Sequence, residues 1–168
     1  MTLRRAFWVV FALMAATYLA MAVGTIPKLI VDCTLPFDIR FKPYDVVGAE
    51  PYLKALGAEG RRFYAEVQHA LDRVFLGLLA VTLILAYHLL FPRGLAWLLT
   101  PLPLVTATFD WLENAAVSVM LRGEPHHVTE AMTAAAWGWT RLKFVAMGLT
   151  LAILAAGLWR RRLKRRAA

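Results

Sequence analysis

Four apolar stretches, at about 6–23, 70–91, 95–121 and 134–158, divide this 168-residue chain. Each has roughly the 17–25 residues that a helix needs to cross a bilayer. With 60% hydrophobic and 18% charged residues, the chain lacks the charge to cover a soluble surface, so the bilayer is the expected solvent. The pattern predicts an all-α membrane protein, a four-transmembrane-helix bundle forming a single integral domain over 1–168. A long, partly helical external loop would join helices 1 and 2.

That loop is expected to cap the bundle over 24–67. Pro27, Pro36 and Pro43 make its first part extended and irregular. A short helix is predicted over Ala49–Leu56, with Pro51 in its first turn and Gly57 ending it. A second begins near Ala58. Phe63, Tyr64, Val67, Leu71, Val74 and Phe75 recur at helical spacing, so it should pack on the bundle and run into the second span. Pro92-Arg93-Gly94 is a tight turn, and Pro101 and Pro103 predict a kink or late start in the third span. Thr129 is a candidate N-cap for the last helix. There, Gly148, Ala152, Ala155, Ala156 and Gly157 suggest a close-packing face. Arg4 and Arg5 followed by Ala20-Met21-Ala22 also fit a cleaved signal peptide. The first apolar run is longer than a usual signal core and holds Trp8 and Tyr18, so retention is expected.

The net charge of +8 could suggest nucleic acid, but its placement does not. Arg4 and Arg5 precede the first span, and Arg160, Arg161, Arg162, Lys164, Arg165 and Arg166 follow the last. They hold the whole excess, leaving eleven basic against eleven acidic residues. Positive segments beside apolar spans stay cytoplasmic. Both ends are therefore expected in the cytoplasm, with 24–67 and 122–128 outside a bacterial inner membrane. The basic tail over 159–168 predicts contact with anionic lipid headgroups. A protein partner or homo-oligomer stays open. Cys33 is the sole cysteine, which excludes an internal disulfide and CxxC chemistry.

Ionisable groups inside spans cost at least about 2.5–3.5 kcal/mol each, so each asks for a reason. Asp110, Glu113 and Asn114 share a face of the third span, with Thr106 one turn earlier. By depth, Asp72 and Arg73 of the second span and Arg141 and Lys143 of the fourth fall at the same level. Three acids and three bases are thus expected to converge in the outer half of the bundle. The candidate cluster is Asp72, Asp110, Glu113, Asn114, Arg141 and Lys143, with Arg73, Thr106, His126 and His127 in second rank. A balanced set fits a structural ion-pair network. A carboxylate in apolar surroundings equally fits a ligand or proton site.

His126 and His127, with Glu124 and Glu130 nearby, show no third ligand, and no metal is expected. There is no GxSxG, HExxH, P-loop or dinucleotide fingerprint, and no cofactor is implied.

The string Phe37-Asp38-Ile39-Arg40, then Tyr44, then Leu53 through Gly57, Gly60-Arg61 and Tyr64, resembles a family of small uncharacterised bacterial four-helix integral membrane proteins. Leu71-Asp72, Asp110-Trp-Leu-Glu113-Asn114 and Lys143 carry the rest of the likeness, which spans roughly 35–149. The resemblance implies no activity, but it groups the acids and Lys143 in one pattern. A looser, fold-level analogy links the chain to four-helix sterol-isomerase and sigma-2-receptor-like membrane domains. Three classes stay open: an accessory or scaffold protein with a structural cluster, a lipid- or isoprenoid-directed enzyme or binder, and a small proton- or ion-coupled carrier.

Overall fold

In the computed structural model, which describes residues 2–166, the chain is all-helical, with no strand among those residues. Four helices are long and apolar enough to cross a membrane: α1 (Leu3–Leu29), α2 (Val46–Leu90), α3 (Arg93–Arg122) and α4 (Glu130–Arg166). The described ends of the chain and the Phe91–Pro92 turn share one end of the bundle, here the terminal end. The 30–45 segment and the α3–α4 turn close the other, the loop end.

The helices extend beyond the spans drawn from composition. Instead of stopping near Val23, α1 passes through a π turn at Met21–Thr25 and gains a last turn at Ile26–Leu29. Pro27 was expected to open an irregular stretch. It sits in the first turn after the π turn, where a missing N–H costs little. Similarly, α2 starts at Val46, capped by Asp45 Oδ1 accepting from the Gly48 N–H at 3.0 Å. It bends at Gly57, whose φ of 68° and ψ of 176° no side-chain-bearing residue adopts comfortably. A second π turn, Tyr64–Gln68, leads into the apolar part of α2. The two π turns face each other, and Thr25 Oγ1 donates to Gln68 Oε1. Pro101 and Pro103 do not delay α3. Thr100 keeps helical angles (φ −53°, ψ −38°) and its N–H donates to the Ala96 carbonyl at 3.0 Å, so the helix starts at Arg93 and carries both prolines. The basic tail continues α4 to Arg166.

The most extensive helix–helix packing joins α3 to α4, and α1 packs chiefly on α2. The main core lies at the loop end: Leu29, Phe37, Tyr52, Leu53, Tyr64, Val117, Met120 and Ala136 are buried together. Phe37 anchors the cap, its ring 4.8 Å from Tyr44 and 5.0 Å from Tyr52. Arg40 covers that ring at 4.4 Å while its Nε donates to the Leu35 carbonyl at 2.7 Å. Tyr52 ties the cap to α1 by donating to the Leu29 carbonyl at 2.8 Å. Tyr64 packs as its spacing suggested, but Val67 is 40% exposed and lies off that face. On α4, Gly148, Ala152, Ala155 and Ala156 are exposed, so the close-packing face reduces to Gly157. A Cβ there would come within 2.7 Å of the Phe91 ring.

Candidate functional site

Lys143 is the hub. Its Nζ lies 2.8 Å from Asp110 Oδ1, pairs with Glu113 Oε2 and donates to the main-chain carbonyl of Asp38 at 2.8 Å. Asp110, Glu113 and Asn114 share one face of α3 because they are spaced by three and four residues. Asn114 Nδ2 donates to Asp72 Oδ2 at 2.6 Å and to Asp110 Oδ2 at 3.4 Å, bridging α2 and α3. Thr140, one turn before Lys143, donates to Glu113 Oε1. All these side chains are buried.

The expected balance of three acids and three bases does not arise. Arg73 and Arg141 are exposed and make no ion pair among the described residues. The reason is angular. Two residues along a helix with 3.6 residues per turn is roughly 200° around it, so Arg141 and Lys143 cannot share a face. Arg73, next to Asp72, is likewise turned away. Thr106 is buried one turn deeper, 3.3 Å from Thr150 Oγ1. His126 and His127 are exposed in the short 3-10 turn between α3 and α4, outside the cluster. No three His, Cys, Asp or Glu side chains among the described residues are placed to hold a metal ion.

Two more members lie in the cap: Asp38, which helical spacing does not mark, and Tyr64, whose spacing predicts its packing but not its bond to Asp38. Asp38 sits in a 3-10 turn, Phe37–Ile39, which the Phe37 anchor pushes into the bundle. Tyr64 donates to Asp38 Oδ1 and accepts from the Asp38 N–H at 3.4 Å. Burial pushes the Asp38 carboxyl above its ordinary range, and the nearby Lys143 ammonium only partly offsets this. His69 is unforeseen as well. It is wholly buried beside Tyr64, its Nδ1 2.9 Å from Ser118 Oγ and its Nε2 without a partner.

Four carboxyls, those of Asp38, Asp72, Asp110 and Glu113, therefore meet one ammonium. Buried charges are tolerated when paired. One lysine cannot neutralise four carboxylates, so the remaining charge must be met by protons or by donors from a ligand. Asn114 Oδ1 is a further buried acceptor with no partner, a vacancy worth about 1–3 kcal/mol.

A cavity of about 200 Å³ reaches this cluster. Its walls are apolar, with Met21, Phe75, Leu76, Leu79, Phe144 and Met147, and Asp38, Asp72, Asp110 and Lys143 line its polar part. Tyr18 of α1, 52% exposed, and Phe41 of the cap, 77% exposed, mark its side facing out of the bundle. In comparisons with family models, curated proteins and solved structures the chain matches none, so the roles of these residues rest on their geometry.

Proposed function

We propose that this is a multi-pass protein of the bacterial inner membrane, with both termini cytoplasmic, that binds an amphiphile at the carboxylate–lysine cluster. This is the lipid- or isoprenoid-directed reading, and one observation carries it. The cavity between α1 and α4 joins an apolar wall to Asp38, Asp72, Asp110 and Lys143. Pockets that hold small molecules share this composition, mostly apolar with a few convergent polar groups.

The excess of acids supports a site over a self-neutralising network. A hydroxyl or amine head would supply the donors that the carboxylates and Asn114 Oδ1 lack. In this reading Lys143 keeps Asp110 and Glu113 oriented. Asp72, bonded to Asn114 and to no cation, is the group placed to exchange a proton with the bound head.

Membrane insertion is supported by apolar side chains exposed along the sides of the bundle, including Leu13, Val81, Leu98, Val145 and Leu149. The clusters of positive charge at the terminal end support the orientation. Alkaline phosphatase fused after Glu59 should be active, and fused after Ala168 inactive. Activity at the C-terminal fusion would reverse the orientation.

The site itself is tested with Asp110→Asn. A binding site is held at some cost to stability, so this variant should unfold at the same or a higher temperature in detergent. It should also lose the amphiphile that mass spectrometry finds on the gently purified wild type. A destabilised Asp110→Asn, partly rescued by Lys143→Met, would instead establish a structural ion-pair network.

A further inference from the structure

A second and larger cavity, about 640 Å³, lies between α1, α2 and α4 at the terminal end. On α1, Phe7, Phe11 and Met14 line it, spaced so that they share one face. On α4 the lining runs Leu151, Leu154, Leu158 and then Arg161, Arg162 and Arg165, again along one stripe. Arg4 of α1 joins these three arginines at the mouth. No carboxylate pairs with any of the four among the described residues. The same helical stripe thus changes from leucine to arginine within one turn.

We infer that this crevice holds one phosphate-headed membrane lipid, its chain against the leucine and phenylalanine faces and its phosphates among the four arginines. Charge complementarity selects the occupant, because guanidinium groups grip phosphate through paired N–H donors. Basic pockets between spanning helices suit lipids with more than one phosphate. Such a head would bring four guanidiniums into use, so a diphosphatidylglycerol is the fitting class. The crevice also fits part of a chain. From Leu151 to Leu158 the apolar part of the stripe is on the order of 10 Å long, at 1.5 Å per residue, room for the head-proximal part of one acyl chain. The inner end of the crevice reaches Leu79, which also lines the cavity of the carboxylate cluster. The lipid differs from one resting loosely on a basic tail, because Arg4 and the α1 aromatics enclose it.

The inference rests on the membrane reading above but not on the cluster. Full-length protein in detergent is incubated with diphosphatidylglycerol or with phosphatidylcholine and examined by native mass spectrometry. One diphosphatidylglycerol should remain bound at collision energies that strip phosphatidylcholine. Arg161→Gln with Arg165→Gln should weaken its retention at least tenfold, and Leu151→Trp, which fills the crevice and keeps every charge, should do the same. Asp110→Asn should leave it in place. Retention unaffected by Leu151→Trp would overturn the inference, as would equal retention of phosphatidylcholine or full competition by inorganic pyrophosphate. A protein that failed to partition into membranes would end the membrane reading instead. Loss of this lipid in Asp110→Asn would merge the two sites and refute a separate one.

Discussion

The two ends of the bundle are built on opposite plans. At the loop end, Leu29, Phe37, Leu53, Tyr64 and Val117 are fully buried, and polar groups meet partners from three helices and the cap. At the terminal end, the Leu3–Ala20 part of α1 buries no residue fully, and beyond Thr150 only Gly157 of α4 is buried. The loop end holds its buried cation, Lys143, entirely with groups of the chain, and it leaves acids facing a cavity and Asn114 Oδ1 without a partner. The other presents apolar faces and arginines with no carboxylate partner among the described residues. Stability and polar specificity should therefore concentrate at the loop end, and the terminal end should tolerate change.

The severest test of that contrast is Lys143→Met. Removing the one cation leaves Asp110 and Glu113 uncompensated, and breaking a buried pair in this way costs roughly 3–5 kcal/mol. Thermal unfolding in detergent should show the loss, and adding Glu113→Gln should recover part of it. A single variant with an unchanged Tm would erase the contrast.

Tyr64→Phe should cost less, about 1–3 kcal/mol, because it strips Asp38 Oδ1 of its donor. Hydrogen exchange over 31–45 should rise in this variant and stay unchanged in α3. The same segment should respond to pH. Burial raises the Asp38 carboxyl above its ordinary value of 3.8. A carboxyl raised in the folded state contributes stability that is complete below the unfolded value and is lost as pH rises through the folded one. Cap protection, corrected for intrinsic exchange, should therefore fall as pH rises through that window, and Asp38→Asn should flatten the trend.

Gly57→Ala probes the backbone alone, since no atom lies within 4 Å of the added Cβ. The glycine-only conformation there predicts a loss of about 1–3 kcal/mol, readable by denaturation. The smallest effects belong to Arg73→Gln and Arg141→Gln, within about 0.5 kcal/mol because both side chains are exposed. A larger loss at Arg141 would return it to the cluster and restore the balanced network.

Much of this was legible in residue order. The positions of α3 and α4 followed from apolar length, and the shared face of Asp110, Glu113 and Asn114 from their spacing. Lys143 was legible by depth, and depth is also what misled at Arg141. A count along the axis says nothing of the angle around it, and that angle, had it been applied, would have picked Thr140, three residues before Lys143, in place of Arg141. Asp38 could not be found by periodicity, because a loop has none. Its place depends on Phe37 docking between Tyr44 and Tyr52, a contact between segments that no local rule connects. The π turns escaped for a related reason. Each is a one-residue slip, favoured by Thr25 meeting Gln68 across two helices.

The bond from Lys143 to the Asp38 carbonyl has an implication for genetics. A main-chain oxygen is present whatever residue occupies position 38, so replacing the side chains of the cap one by one leaves that acceptor in every variant. Scanning substitution would then credit the cap with its aromatic anchors and overlook its grip on the lysine. Insertion or deletion of a residue between Thr34 and Phe37 would move the carbonyl itself. In this segment the chemistry is written in loop length, and tolerance of substitution there would be a poor guide to its importance.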